Sequence, residues 1–342
     1  MRARPSHRLV LLCASAALIG LPVLAQTLPP DDPSASGSVT AVPIETFMTA
    51  APGDRVQGLV WRGGLELQSP LDTFGGLSGI AFTGPEHRLV MVSDRGNFVF
   101  GQLIYDEAGK PLSLVGLGIE PMQNSKGAEL PRAFARDAEA VTPIIRDGVP
   151  AAIRVGFENL TRVADFQLVD GIPVGPAKEV AIPDWLSQTR TNTSLEAVCI
   201  APEASPIAGS TLLLTEGVID DDGLHSAWLL GVNDRGALSY HSSPGTNPSD
   251  CAFLPNGDLL VLERGVALLS FTMTLKRVPA ASIRPGAHLE GETLLQSSGR
   301  DIDNMEGLAV HQGPGGETRI TLISDNNFND WERNLLLEFA LP

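Results

Sequence analysis

Residues 303–310 read DNMEGLAV, a stretch in which the carboxylate of Glu306 opens a run that otherwise has the composition of a buried strand. The same arrangement, a polar residue followed by apolar residues, occurs four more times, at intervals of 54 to 61 residues. The five segments are LSGIAF with Ser78, AEAVTP with Glu139, LEAVCI with Glu196, SDCAFL with Asp250 and MEGLAV with Glu306. Recurrence at a nearly fixed period predicts a repeat architecture.

A second apolar run follows each of these segments after a turn rich in Gly, Pro or Asn, and it ends in an acidic residue. These second acids are Asp94, Glu158, Glu216, Glu263 and Asp325. A third apolar run follows in every unit, and a fourth is visible in the first four units. Short strands at regular intervals, without a long segment of helical period, predict an all-β protein.

Units of about four strands that repeat every 55 residues or so are typical of a β-propeller. We predict a single propeller domain over residues 41–342 with five four-stranded blades, and a sixth blade stays open if residues 38–68 contain more than one strand. The last unit shows only three strands. The segment GLVWRGGLELQ at residues 58–68 would supply the fourth strand and close the ring.

The N-terminal residues 1–25 have the pattern of a secretory signal peptide. Three arginines precede an apolar run from Leu9 to Leu24, and Ala25 provides a small residue at the cleavage site. The run is too short for a stable membrane span, so we expect a protein without one, located in the periplasm or secreted. Residues 26–40 are rich in Pro and Ser and are predicted to be a flexible leader.

The charge balance is strongly acidic. The chain has 24 basic and 40 acidic residues, and removal of the three signal-peptide arginines leaves 21 basic residues and a net charge of −19. An acidic surface of this kind makes nucleic acid an improbable partner. Only four basic residues are lysines, so an anion-binding site has to rely on arginine. We expect a monomer that acts on a small molecule.

Two cysteines, Cys199 and Cys251, remain after removal of the signal peptide. Cys199 lies three residues after Glu196, and Cys251 lies one residue after Asp250. Both offsets are odd, so strand alternation places the two side chains on the same face of their blades. One thiol would then face its neighbouring blade while the other faces away, which predicts two free thiols.

The repeated acids are predicted to meet at one mouth of the central channel, because the second strand of a blade ends beside the start of the innermost strand. Up to nine converging carboxylates need compensation, and a divalent cation such as calcium is the simplest source. Glu196 and Glu306 are the predicted catalytic residues. The predicted metal ligands are Asp94, Glu139, Glu158, Glu196, Glu216, Glu263, Glu306, Asp325 and Asn327, the last two from the loop SDNNFND. Alternatively, these acids accept backbone hydrogen bonds that lock the blades together.

Four arginines stand beside these acids in the sequence: Arg95, Arg136, Arg264 and Arg300. The planar guanidinium binds phosphate through paired hydrogen bonds, so these side chains are predicted to bind a phosphorylated substrate. The alternative is that each arginine neutralises the acid next to it.

The ordered set of motifs resembles the phytase-like family, whose members are exported bacterial proteins described by esterase-like activity of phytase. The resemblance rests on GGLSGIAF, VMVSDRG, RDAEAV, LEAVCIAP, LLVLERG and DNMEGLAV, and it spans about residues 58–341. It implies a β-propeller that hydrolyses phosphoesters with calcium. A non-catalytic propeller that binds a ligand or a protein, with calcium in a structural role, is the alternative hypothesis.

Overall fold

The computed structural model describes residues 39–131, 133–267 and 270–342. The predicted signal peptide and most of the predicted leader lie outside the described residues. Three strands precede the first repeat: β1 (Thr40–Ile44), β2 (Arg55–Val56) and β3 (Leu59–Gln68). The repeats form five antiparallel sheets whose innermost strands contact one another in a closed ring, so the predicted β-propeller is confirmed with five blades.

Blades 1 and 2 each consist of four consecutive strands. Blade 1 contains β4 (Leu77–Phe82), β5 (Arg88–Ser93), β6 (Asn97–Tyr105) and β7 (Pro111–Pro121). After the short helix α1 (Ala133–Arg136), blade 2 contains β8 (Ala138–Arg146), β9 (Val149–Phe157), β10 (Arg162–Val169) and β11 (Ile172–Val180). Alternating apolar residues let each sheet bury both faces against its neighbours.

One short strand that follows the third strand of blade 4 pairs with blade 3. After helix α2 (Asp184–Ser187), blade 3 contains β12 (Leu195–Ile200), β13 (Thr211–Ile219), β14 (His225–Leu230) and β15 (Gly236–Tyr240). Blade 4 contains β16 (Thr246–Phe253), β17 (Leu259–Ala267) and β18 (Ser270–Val278), followed by a 3₁₀ turn (Ala280–Ser282), β19 (His288–Leu289) and β20 (Glu292–Ser298). Strand β19 leaves blade 4 and pairs in parallel with β15.

Blade 5 joins the two ends of the chain. A 3₁₀ turn (Gly299–Asp301) leads into β21 (Asn304–Gln312), β22 (Thr318–Asp325) and β23 (Leu335–Ala340), and β3 pairs antiparallel with β23 as the fourth strand. The predicted ring closure by residues 58–68 is therefore confirmed. Strands β1 and β2 pair with β3 and extend blade 5, so the described residues 39–68 do not build a sixth blade.

Aromatic side chains pack together where β3 closes the ring of blades. Trp61 of β3 is fully buried and lies against Phe47 and Phe339, with ring centroids 5.3 and 5.1 Å away. Removing side chains of this size from water stabilises a fold by several kcal/mol. Among the described residues, no helix is long and apolar enough to cross a membrane.

A β-bulge near the start of every innermost strand sets the register of the blades. Pairing with the second strand skips one residue, and we call this residue the bulge residue. The five bulge residues are Ser78, Glu139, Glu196, Ser249 and Glu306. Blade 4 therefore differs from the prediction, because Ser249 rather than Asp250 occupies the repeated position.

This register overturns the predicted free thiols, because Cys199 and Cys251 form a disulfide with a Cα–Cα distance of 5.8 Å. Cys199 lies three residues after its bulge residue, whereas Cys251 lies two residues after Ser249. One odd and one even offset place the side chains on opposite faces of their own blades. They therefore face each other across the seam between blades 3 and 4.

Candidate functional site

The second strands contribute one residue each beside the bulges. In every blade, the residue before the bulge pairs with a residue of the second strand, and we call the residue that follows this partner the rim residue. The five rim residues are Asp94, Glu158, Glu216, Arg264 and Asp325. Four of the five predicted second acids are thus rim residues, and in blade 4 an arginine takes the place of the acid.

The structure does not bring Glu263 into this ring. Its fully buried carboxylate accepts hydrogen bonds from the Tyr240 hydroxyl at 2.6 Å, the Thr246 hydroxyl at 2.9 Å and the Ser243 amide at 3.1 Å. Asp250 is engaged in the same way, because it accepts the amides of Cys251 and Leu308 at 2.7 Å. For these two acids, the contacts agree with the alternative hypothesis, in which the repeated acids accept hydrogen bonds that lock neighbouring blades together.

Two overlapping groups of carboxylates lie in the cluster of bulge and rim residues. Oxygens of Glu158, Glu196 and Glu216 all lie within 4.8 Å of one another, and so do oxygens of Asp137, Glu139 and Glu158. Asp137 was not predicted from the sequence, although its position two residues before Glu139 in RDAEAV offered a signal. Glu158 belongs to both groups and joins blades 2 and 3.

Arg264 is the counterion of this cluster. Its Nε lies 3.0 Å from an oxygen of Glu306, and a terminal nitrogen lies 3.4 Å from an oxygen of Glu216. Burial lowers the pKa of Arg264, but the charges of the surrounding carboxylates outweigh burial and raise it. The predicted role in substrate binding is therefore less well supported by these contacts than the alternative, in which this arginine neutralises its acidic neighbours.

Arg264 offsets only part of the negative charge, and the pKa values of six carboxylates of the cluster are raised. Burial is the largest cause in each case, and repulsion from neighbouring acids adds to it. The pKa reaches about 8 for Glu306, about 7 for Glu158 and Asp325 and about 6 for Asp94, and it lies well above the usual range for Glu139 and Glu196.

Glu158 and Glu196 share a hydrogen bond that favours the charged form of Glu158 and the protonated form of Glu196. Two carboxyl groups that share one proton are typical of sites in which both cannot ionise together. The backbone amide of Ser194 donates to Glu158 at 2.6 Å, which further stabilises the charge there. The pair therefore holds one proton between its two carboxyl groups.

The rim at blade 1 depends on a glycine. Gly76 has φ +61°, and a Cβ at this position would lie 2.1 Å from an oxygen of Asp94. Any side chain would displace that carboxylate. Across the rim, Asp325 accepts the amide of Asn327 at 2.7 Å, and the exposed Asn327 side chain donates to Glu332 at 2.6 Å. Asn327 is thus a neighbour of the acids rather than a member of the cluster.

A pocket of about 480 Å³ opens next to Asp94 and Asp137. Arg95 and Arg136 line it, together with Asn159 and the apolar Ala133 and Phe134. The Arg95 guanidinium stacks 3.2 Å from the centre of the Phe328 ring. Arg136 uses its Nε to donate to the carbonyl of Leu130 at 2.8 Å.

Arg300 differs from the two pocket arginines. It lies exposed on the 3₁₀ turn before blade 5, and its carbonyl accepts a hydrogen bond from Arg333 at 2.9 Å. Of the four predicted substrate arginines, the structure therefore places two at the pocket, one inside the acid cluster and one outside it.

A larger cavity of about 800 Å³ lies along the distal parts of the innermost strands. Mainly apolar residues line it, among them Ile80, Phe82, Phe253 and Val310, and none of the cluster carboxylates does. Its two acids, Asp147 and Glu203, are exposed and belong to no group of close carboxylates among the described residues, so the smaller pocket beside the acid cluster is the candidate site.

The donor atoms of the cluster of bulge and rim residues are suited to a hard cation. Every charged ligand group is a carboxylate, and calcium accepts six to eight oxygens in flexible geometry. Each of the two groups, Asp137 with Glu139 and Glu158, and Glu158 with Glu196 and Glu216, can supply three of them. The raised pKa values are those of a cluster whose negative charge exceeds the compensation that the protein itself provides.

Comparison with known proteins identifies the family. The profile of the phytase-like family, described as esterase-like activity of phytase, matches residues 72–328. No functionally curated protein matches the chain. Among solved structures, a glucose dehydrogenase is 13% identical, with 78% of this chain and 97% of that chain covered and a TM-score of 0.42.

Two further solved structures are similar at the same distant level. The PQQ-bound aldose sugar dehydrogenase of Streptomyces coelicolor is 12% identical, covers 90% of this chain and 98% of its own, and has a TM-score of 0.38. A calcium structure of a carbohydrate-active enzyme of family AA12 from Trichoderma reesei is 12% identical, with 89% and 96% covered and a TM-score of 0.41. These similarities carry no functional information for this chain.

Proposed function

The chain belongs to the phytase-like family, and we propose that it hydrolyses phosphoesters with calcium bound at the acidic mouth. One observation carries the proposal: carboxylates from blades 2 and 3 lie within 4.8 Å of one another, with their pKa values raised by burial and mutual repulsion. A cluster held in this state gains most when a cation replaces its protons.

The cation ligands in this proposal are the bulge acids Glu139, Glu196 and Glu306 and the rim acids Glu158 and Glu216. Asp94 and Asp325 complete the set on the side of blades 5 and 1. A bound calcium ion supplies Lewis-acid polarisation of the phosphoryl group and lowers the pKa of water. Arg264 keeps Glu216 and Glu306 in place.

The protein side chains also position the substrate and move the proton. Arg95 and Arg136 line the pocket beside Asp94 and bind the phosphate oxygens through their guanidinium groups. With a cation in place of the proton that it shares with Glu158, Glu196 would be a carboxylate and would accept the proton of the attacking water. Glu306, fixed by Arg264 at 3.0 Å, is the second catalytic carboxylate.

Export to the periplasm or the medium is part of the proposal. The disulfide between Cys199 and Cys251 supports it, because disulfides persist in oxidising compartments. The acidic charge balance supports a small-molecule substrate rather than nucleic acid. A monomer is proposed as the functional unit.

A non-catalytic propeller with structural calcium is the second candidate. One contact favours it, since Glu158 of blade 2 accepts the amide of Ser194 of blade 3 and thereby ties two blades together. Ligand or protein binding would then be the function, and a cation would only stabilise the ring.

A phosphatase assay separates the two candidates. Purified protein is assayed on p-nitrophenyl phosphate and a panel of phosphomonoesters, with calcium and with a chelator. The proposal expects turnover that the chelator abolishes and that Glu196→Gln and Glu306→Gln remove, while the exposed control Glu107→Gln retains it. Absence of turnover on every ester, with a chelator effect on melting temperature alone, would establish the structural alternative.

A further inference from the structure

A serine, a histidine and a backbone carbonyl form a hydrogen-bonded chain on blade 3, next to the rim. Nε2 of His225 lies 2.9 Å from the hydroxyl of Ser242, and its Nδ1 lies 2.6 Å from the carbonyl oxygen of Glu216. The proposed cation chemistry uses neither His225 nor Ser242.

The local backbone creates this arrangement. Pairing between β13 and β14 breaks between Leu214 and Ile219, so the carbonyl of Glu216 is free to accept a hydrogen bond from a side chain. His225 begins β14 and is buried, whereas Ser242 lies partly exposed in the loop between β15 and β16. A buried base hydrogen-bonded to the hydroxyl of a partly exposed serine is the arrangement that activates a nucleophilic serine.

The carbonyl decides the tautomer of the imidazole. A carbonyl oxygen can only accept, so Nδ1 of His225 carries the proton and Nε2 of the neutral ring has its lone pair directed at Ser242. The Ser242 hydroxyl therefore donates to Nε2. In a Ser-His-Asp triad a carboxylate fixes the imidazole in the same way, and here the Glu216 carbonyl takes that part.

We propose that Ser242 and His225 form a nucleophilic site that hydrolyses small carboxylic esters, adjacent to the cation site, with which it shares only Glu216, through its backbone carbonyl. Ser242 Oγ forms a bond to the ester carbonyl carbon while its proton moves to Nε2 of His225. The bond to the alcohol oxygen then breaks, and His225 returns that proton to the leaving alcohol. Water attacks the acyl-serine with His225 as base, the carbon–Oγ bond breaks, and the proton returns to Oγ as the acid leaves.

Other serine–histidine contacts provide a comparison. Ser239 lies 2.7 Å from Nδ1 of His288, but it sits in the middle of β15 opposite His288 and is only 4% exposed. That contact is a cross-strand pair that closes a sheet edge. Ser243, next to Ser242, uses its backbone to bind Glu263 and Thr246. Ser239→Ala and Ser243→Ala are therefore matched controls.

The test is covalent labelling of the full chain with a fluorophosphonate, followed by peptide mass spectrometry, together with turnover of p-nitrophenyl acetate. The expected result is an adduct on Ser242 and turnover that falls about 100-fold or more in Ser242→Ala. His225→Gln should lower labelling and turnover by about 10²- to 10⁴-fold. Both control variants should be labelled at Ser242 like the parent.

The chelator separates this proposal from the phosphoesterase. Labelling of Ser242 should persist in chelator and in Glu196→Gln, where the phosphatase is expected to be lost. A folded protein that shows no adduct on Ser242, or a Ser242→Ala variant with unchanged acetate turnover, would overturn the proposal. An adduct at another serine of the parent that persists in Ser242→Ala, with only the melting temperature of the variant changed, would likewise assign the contact between Ser242 and His225 to structure alone.

Discussion

Two buried carboxylates, Glu338 and Glu196, have opposite surroundings. Glu338 in β23 is fully buried and accepts hydrogen bonds from Arg319 at 2.6 Å, Tyr105 at 2.7 Å and Thr321 at 3.1 Å. Burial raises the pKa of Glu338, but contacts with His311 and Arg319 outweigh burial, so the pKa lies below its usual value.

Glu196 is buried among acids instead. Burial and the charges of Glu139 and Glu158 raise its pKa well above the usual range. The difference separates two roles of a buried acid: Glu338 has its compensation within the protein and serves structure, whereas Glu196 lacks it and needs a proton or a cation. Each prediction below tests this difference.

The largest effect is expected at the compensated acid. Glu338→Gln removes one of the two carboxylates that pair with the buried guanidinium of Arg319 and leaves only Glu317, which should cost about 3 kcal/mol in the free energy of unfolding, the low end for a broken buried ion pair. Urea denaturation of the parent and the variant measures it. The exposed Glu107→Gln should change stability by less than about 0.5 kcal/mol. A loss below about 1 kcal/mol in Glu338→Gln would contradict the structural role assigned to Glu338.

Calcium should stabilise the parent through the uncompensated acids. At about 100 times its dissociation constant, a ligand that binds only the folded state adds about 2.7 kcal/mol, visible as a rise in melting temperature. Glu196→Gln should lose most of this rise and Glu107→Gln none of it. An equal rise in the parent and Glu196→Gln would place the cation elsewhere.

The pH dependence of stability without calcium should have an unusual sign. The folded pKa values of Glu158, Asp325 and Glu306 are raised to about 7, 7 and 8, whereas unfolded acids titrate near 4. The unfolded chain then releases protons that the folded protein keeps, so the stability from these groups is fully present below about pH 4 and is lost as the pH rises through 7 and 8.

Glu338 contributes with the opposite sign. Its lowered pKa gives stability above its unfolded value that is lost only as the pH falls below that value. Thermal unfolding between pH 5 and 8 in chelator therefore excludes the contribution of Glu338, while the lowered pKa values of His87 and His225 add a contribution that rises with pH and opposes that of the acid cluster. A free energy of unfolding that rises between pH 5 and 8 would contradict the raised pKa values of the acid cluster.

The smallest change is expected for Glu196→Gln in chelator. Replacing one acid of a mutually repelling group with a neutral isostere should leave the free energy of unfolding unchanged or raise it by up to about 1 kcal/mol. Chemical denaturation at pH 7.5 measures it. A loss as large as that of Glu338→Gln would show that Glu196 is a structural acid.

Much of the fold followed from the repeat. The five units, the closing strand at residues 58–68 and the mouth acids Glu139, Glu158, Glu196, Glu216 and Glu306 were all visible as sequence pattern, because each blade repeats the same apolar run after a polar residue. The register in which the strands pair could not be seen in the sequence. LERG in blade 4 resembles SDRG in blade 1, which equates Glu263 with Asp94, yet strand pairing equates Arg264 with Asp94.

That single-residue slip had three consequences. It hid the disulfide, placed Asp250 and Glu263 in a ring to which they do not belong, and concealed Arg264 as the central counterion. The contact between His225 and Ser242 was hidden for a related reason, since it depends on the break in pairing between β13 and β14. Bulges change which side chains meet without leaving a clear sequence signal.

The most direct test is calorimetric titration of calcium into chelator-treated protein, compared between the parent, Glu196→Gln and Glu107→Gln. Saturable binding is predicted for the parent and Glu107→Gln, with an affinity at least about tenfold weaker in Glu196→Gln. No saturable binding by the parent at up to about 10 mM calcium, above the weakest range of extracellular sites, or identical binding by all three proteins, would contradict the assignment of the acidic mouth as a cation site.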